Sequence, residues 1–488
     1  MIFNSLNFLI FIIIVFLVYV LIPLKARKYW LLIASFTFYA WNGIQNILYL
    51  LGAIIITYIC GRNIEKKCSD GKKNRAKIHV AIGVVVCIGM LFVLKYLDMF
   101  LNIGNRFIGS SLPALELVAP LGLSFFTLQA VGYLVDIYRG QISAEKNIVS
   151  YALFLSFFPQ ISSGPIARAG SLLNQINGIT HIDIDVCKEG LFHIAYGLFL
   201  KMVVADNIGI VVDGVLTGWE EKTGMMLCLA IVLYGIQIYC DFHGYTTIAI
   251  GIAEVFGIKL MKNFRQPYLS TSVKEFWRNW HISLTSWFTD YLYIPLGGNR
   301  KGQLRKLVNM MIVFLVSGLW HGASAKYVVW GGLNGLFLVL ESLLAPTCAK
   351  LCDKLKIDRN TKMYKLFKGL LTFALVDYAW LFFRADSFGA AIGMTRKMVS
   401  EFRLTWFLSQ NCYDTFGSMQ TLAIILISII ILILCDRYEK SGGNLYRAIA
   451  SWQIVYRWLF YVLMLYVIIS WGVYGNDYTQ TRFIYFQF

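Results

Sequence analysis

Apolar residues in this chain fall in long unbroken runs separated by short basic or glycine-rich breaks. A run of about 20 such residues is the length of helix that crosses the hydrocarbon core of a bilayer. Ile2–Ile22 is the first. It has no basic stretch before it and no small-residue cleavage site after it, so it is expected to be kept as a helix rather than removed as a leader. Tyr29–Cys60 is too long for one crossing and carries Trp41-Asn42-Gly43 as a turn, which predicts a hairpin of two spans. Ile78–Leu101, Leu117–Tyr138, Glu189–Val212 and Met225–Phe256 continue the series. Leu307–Val316, Tyr327–Leu344, Gly369–Arg384, Gln420–Leu434 and Trp458–Val473 complete it, with Ser387–Tyr413 mixed and interfacial. The pattern predicts an all-α polytopic membrane protein with roughly 11–13 membrane-inserted segments. No long linker interrupts it, so one membrane-embedded domain over 1–488 is expected, with a core at about 120–345 and an aromatic tail at 483–488.

Two stretches break the pattern. Tyr151–Ser163 is short for a span and runs into FPQISSGPIARAG (Phe158–Gly170), where Pro, Gly and Ser interrupt any helix. Backbone polar groups freed there need protein or water around them. Either a re-entrant segment lining a cavity or a surface loop fits. The second stretch, Asn263–Ser324, is the least lipid-like part of the chain. In Glu275–Tyr291, residues Trp277, Trp280, His281, Leu284, Phe288 and Tyr291 fall at helical spacing, while Lys274, Arg278 and Asn279 lie mostly off that stripe. One amphipathic interfacial helix is expected. IPLGGNRKG (Ile294–Gly302) follows, and its basic run extends to Lys306; without GxxxxGK[ST] spacing it is no P-loop. The stretch ends in SGLWHGAS (Ser317–Ser324), whose small residues allow a backbone or a substrate close in.

Charge sharpens the reading. Only 15% of residues are charged and 58% are hydrophobic. The net charge of +17 would suit nucleic acid, but the Lys and Arg sit in breaks between apolar runs. Seven fall in Arg62–Lys77 and seven in Lys350–Lys368. That is the signature of cytoplasmic loops, with the N-terminus outside and the Lys274 and Arg300–Lys306 loops facing the cytoplasm, where they can meet the phosphates of a donor. No nucleic-acid partner is expected. The ten cysteines lack metal-ligand spacing and read as packing thiols, so no metal is expected. Asp136 and Arg139 read as cap or snorkel residues.

The candidates for chemistry are ionisable groups at membrane depth, where they are costly. His281 and His321 each follow a tryptophan, Trp280 and Trp320. For His281 a core histidine with its hydrogen bonds satisfied and a site histidine are both open; for His321 a neutral imidazole can serve as general base. Asp241-Phe242-His243-Gly244-Tyr245 is the densest polar group within a span, and a structural hydrogen bond is the plainer role for Asp241 and His243. His193, Lys201, Asp206 and Glu254 read as structural too. The tail FIYFQF (Phe483–Phe488) reads as an interfacial anchor or as a segment that fills a groove.

NFRQPY, FWRNWHISL, YIPLGGNR and GLWHG, in that order, resemble the membrane-bound O-acyltransferase superfamily, and within it the branch that O-acetylates alginate, peptidoglycan and other exopolysaccharides. The likeness runs from about Ala34 to the end. It implies a ring of tilted transmembrane helices around a funnel, with His321 as the essential residue and His281 as the second histidine of the branch. DFHGYTT departs from the family's DFxGYxD-like pattern at His243 and Thr247. The tail resembles one that enters the funnel in such systems, which implies Tyr485 as a covalent acyl relay. The resemblance further implies acetyl-CoA as a donor that is not tightly bound, with Lys274, Arg278, Arg300 and Lys301 near its phosphates. Asn279 and His281 would orient groups or stabilise an oxyanion, and Trp280, Trp320, Asp241 and His243 would line the substrate path. An extracytoplasmic SGNH-type acetyltransferase, a glycan acceptor and membrane lipids are the implied partners, and a plasma or inner membrane the implied location. D-alanyl transfer to teichoic acid is the enzyme alternative. A transporter of a lipid-linked glycan is another, although no repeat or inverted duplication is visible. A structural scaffold for secretion is a third.

Overall fold

The computed structural model describes residues 1–41, 43–109, 113–179 and 181–474. They form helices and connecting turns, with no strand among them. Nine helices among the described residues are long and apolar enough to cross a membrane. They are α1 (Asn46–Ser69), α2 (Lys73–Lys95), α3 (Ile184–Leu216), α4 (Gly224–Val255), α5 (Gln303–His321), α6 (Ala325–Lys354), α7 (Lys362–Arg384), α8 (Met419–Lys440) and α9 (Ile454–Trp471). Leu6–Leu21, Leu123–Tyr138 and Ile148–Ile161 are shorter apolar helices. Many apolar side chains face outward, among them Leu459, Val462, Leu463 and Ile469 of α9. Apolar surface on this scale is unstable in water and suits lipid. The chain is a multi-pass membrane protein.

The helices run further than the apolar runs do. The basic stretch expected as a loop at 62–77 is helical except for residues 70–72. Lys66 and Lys67 close the last turn of α1, where they offset the carboxyl end of the helix dipole. Lys and Arg are good helix formers, and their stems can lie along an apolar surface.

Contacts divide the chain into two units. The first comprises 1–194 and 245–262. Here α1, α2 and Leu123–Tyr138 pack together, and Leu24–Ala40 packs on Ile148–Ser156. The broken stretch after Tyr151 is buried from Ser150 to Ala167, so it is not a surface loop. Protein groups meet the backbone that the breaks leave open: the Phe158 amide donates to Ser35 Oγ at 3.2 Å, and Gln160 Nε2 donates to the Phe154 carbonyl at 2.9 Å. Tyr151, fully buried, shares a 2.7 Å hydrogen bond with Thr57 Oγ1. His193 and Glu254 form a 2.6 Å pair in this unit, in keeping with a structural role for both.

The second unit comprises 195–244 and 263 onward. Within it α3 loosens into a π-helical turn at Phe199–Ala205. That turn carries Lys201, whose ammonium lies 2.8 Å from Asp206 and 2.6 Å from Asp241. All three are buried. α5 and α6 form a tight pair joined by Gly322–Ser324. A Cβ on Gly318 would lie 2.3 Å from the Tyr327 carbonyl oxygen, and one on Gly331 equally near that of Phe314. The small residues around His321 thus let a neighbouring backbone in. Gly318→Ala is expected to wedge this pair apart and to cost about 1–3 kcal/mol, as overpacking typically does. A lower unfolding temperature of the purified protein would register it; unchanged stability would show that the pair is not held at this spacing.

Candidate active site

The stretch that reads as one amphipathic helix over 275–291 is two short helices and a π-helical turn. Val273–Asn279 starts from Ser272, whose Oγ accepts the Glu275 amide at 3.0 Å, while Glu275 reaches back to the Thr271 amide at 2.8 Å. Trp280 is then extended, and His281 takes a left-handed backbone with φ +44°. Ile282–Phe288 follows, and then Thr289–Tyr293. The break is held by the NFRQPY loop, which takes the polar groups a broken helix leaves open. The Ile282 amide donates to the Asn263 carbonyl at 2.9 Å, the Ser283 amide to Asn263 Oδ1 at 3.2 Å, and the Arg265 amide to the Asn279 carbonyl at 3.0 Å. A left-handed non-glycine residue costs of order 1–3 kcal/mol and persists where its surroundings enforce it. The periodicity was visible in the sequence; the bonds that override it come from residues outside the stretch.

The break sets the two ring systems. His281 is 2% exposed, with its ring edge-on to Phe242 at 4.7 Å. Burial pushes its pKa down to about 3, so the ring is neutral through the physiological range. The folded value lies below the unfolded value of about 6.5, so this site favours folding fully above that pH and loses its contribution as pH falls towards the folded value. Trp280 stacks on Phe276 at 5.3 Å and meets Trp380 at 5.1 Å. His321 closes α5, 4% exposed, with Trp330 edge-on at 4.9 Å and Phe383 at 5.3 Å. Trp320 is common to both histidines, 4.9 Å from His321 and 6.3 Å from His281.

Both histidines line one cavity of about 1000 Å³. Its wall on α5 is a single helix face: Gln303, Lys306, Met310, Val313, Phe314, Ser317 and His321. At 1.5 Å per residue that face runs about 27 Å, with His321 at one end and Lys306 near the other. Lys274, Arg278, Trp277 and Trp280 line it too. Lys306 Nζ donates to Ser342 Oγ at 3.0 Å. The cavity therefore combines cations, an apolar and aromatic wall and two imidazoles.

Other sequence candidates lie elsewhere. Arg300 and Lys301 are exposed in the loop after Tyr293, which turns on three positive-φ glycines, Gly297, Gly298 and Gly302. Asn279 donates through Nδ2 to Ser270 Oγ at 3.2 Å. Asp241 is bound to Lys201. His243 stacks on Tyr239 at 5.2 Å, and the Tyr239 hydroxyl donates to Asp436 at 3.1 Å. None of these is among the residues lining the cavity, and neither is Trp320. Tyr485 lies outside the described residues. Phe314 escaped the sequence reading and Ser317 entered it only as one of the small residues, although stepping back from His321 by four and by seven residues along a helix leads to both.

The sequence profile of the membrane-bound O-acyltransferase family matches residues 139–356, which include both histidines. A probable alginate O-acetylase AlgI of Pseudomonas putida is 33% identical over 448 residues, 90% of this chain and 89% of the relative. A peptidoglycan O-acetyltransferase of Helicobacter pylori is 33% identical over 401 residues, 76% of this chain and 73% of its own length. A teichoic acid D-alanyltransferase of Streptococcus thermophilus is 28% identical over 238 residues, covering 45% of this chain and 56% of the relative. The sequence therefore encodes an O-acyltransferase: the chain belongs to the membrane-bound O-acyltransferase family.

Proposed function

We propose that this protein transfers an acetyl group from acetyl-CoA to a glycan outside the cytoplasm. The reading rests on one observation: two histidines and three cations face a single cavity that follows one face of a membrane-crossing helix. Lys274, Arg278 and Lys306 meet the donor's phosphates, and the thioester reaches along α5 to His321. There the neutral imidazole takes the proton of an attacking hydroxyl, a C–O bond forms, and the C–S bond breaks with the proton passed to the departing thiolate. His281, neutral beside Trp320, orients the reacting groups. Tyr485 is the first acceptor. A phenol is acidic enough for a nearby imidazole to activate, and its ester stays reactive enough to hand the acetyl to an extracytoplasmic SGNH-type transferase. The relatives named as alginate and peptidoglycan O-acetylases support an exopolysaccharide or cell-wall acceptor.

D-alanyl transfer is the second reading, supported by the relatives named for teichoic acid. Esters released from the cell envelope by mild base separate the two. Deleting this protein should remove acetate and restoring it should return acetate. Loss of D-alanine instead would select the second reading, and no change in either would reject both. Peptide mass spectrometry of the C-terminal segment, in cells without the partner transferase, should show an acetyl increment at Tyr485. A fully active Tyr485→Phe protein would remove the relay.

A further inference from the structure

Five Ser and Thr hydroxyls line the cavity, and four are engaged within the protein. Ser272 Oγ accepts the Glu275 amide, Thr285 Oγ1 donates to the Trp280 carbonyl at 3.2 Å, Thr289 Oγ1 donates to the Thr285 carbonyl at 2.8 Å, and Ser342 accepts from Lys306. Ser317 is the exception. It is 8% exposed and faces the cavity, yet its hydroxyl has no hydrogen-bond partner among the described residues. A serine in a helix commonly bonds back to the carbonyl four residues earlier, so a free hydroxyl there is available for a ligand.

Its position is specific. Ser317 lies four residues before His321 on α5, so the two share a helix face with Cβ atoms about 5–6 Å apart. Helical side chains lean towards the helix N-terminus, which sets the imidazole over the Ser317 turn. The hydroxyl makes no bond to His321 itself, so the imidazole is not set to take the serine's proton, as a serine nucleophile would require.

We propose that Ser317 is a further catalytic residue, its hydroxyl donating to the thioester carbonyl oxygen as that oxygen becomes an oxyanion. This rests on acyl transfer at His321. When the acceptor oxygen adds to the carbonyl carbon, its proton goes to His321 and the carbonyl π pair moves onto the oxygen held by Ser317. When the intermediate collapses, that pair re-forms the C=O bond, the C–S bond breaks, and the thiolate takes the proton from His321. A hydrogen bond that strengthens in the transition state acts on turnover more than on binding.

The test uses the full-length protein in nanodiscs together with the extracytoplasmic transferase, acetyl-CoA as probe and an oligosaccharide acceptor, with released thiol as the readout. Ser317→Ala should lower kcat on the order of 100-fold, the scale for loss of one oxyanion donor, with KM little changed. Ser317→Thr, which keeps the hydroxyl, should recover most of the rate. Binding of the thioether analogue, which lacks the carbonyl, should be unchanged in Ser317→Ala. His321→Ala serves as the reference. If it is inactive while Ser317→Ala keeps wild-type kcat, the Ser317 role alone fails. If His321→Ala keeps full rate, the acyl-transfer reading fails with it. Equal losses in the Ala and Thr variants, or an acetyl ester on Ser317 by mass spectrometry, would also overturn the oxyanion role.

Discussion

His321→Ala is expected to lower acyl transfer by about 10²–10⁴-fold, the span that a positioned general base contributes. The protein should remain in the membrane at a normal level. Alanine keeps the main-chain hydrogen bonds of α5, and the rings His321 touches also pack on one another. Trp330 stacks on Trp380 at 5.5 Å and meets Phe383 at 5.3 Å without it. His321→Gln, closer in volume and still able to hydrogen-bond, should be nearly as inactive. That outcome would separate proton transfer from ring packing. The measurement is ester content of the envelope glycan at matched protein abundance. Normal ester content in either variant would refute the role of His321.

Lys201→Met should produce the largest loss of stability. The lysine is the cation between two buried carboxylates, Asp206 at 2.8 Å and Asp241 at 2.6 Å. Removing one partner from a buried ionic group costs about 3–5 kcal/mol, because the remaining charge stays in a low-dielectric interior without compensation. Here two neighbouring buried carboxylates lose the one cation they share. Thermal unfolding in detergent and abundance in the membrane should both fall. Adding Asp206→Asn and Asp241→Asn to Lys201→Met replaces both carboxylates at nearly constant shape, and it should restore part of the loss. A Lys201→Met protein as stable as wild type would show that the charges do not depend on one another.

The two substitutions illustrate how differently the residues were legible. His321 was visible as an ionisable group beside Trp320 in a glycine-rich break, and its chemistry needs no partner to be suspected. Lys201, Asp206 and Asp241 were each visible as polar residues within apolar runs. Their mutual pairing was not, since 35 residues separate Asp206 from Asp241 in the chain. The two also belong to different helices, α3 and α4. The π-helical turn that carries Lys201 leaves no mark in hydropathy.

The apolar runs alone determined the all-helical membrane class, because the bilayer sets one length scale and each helix satisfies its own backbone. The short motifs likewise determined the family, since they are local strings. Tertiary structure decided the site. It broke the expected amphipathic helix at His281, because Asn263 and Arg265 supply the hydrogen bonds that make a break there tolerable. It put Lys274, Arg278 and Lys306 on the cavity wall and left Arg300 and Lys301 on an exposed loop. Hydropathy records what each residue prefers as its solvent. Which residues share a cavity depends on how distant segments meet, and no local preference encodes that.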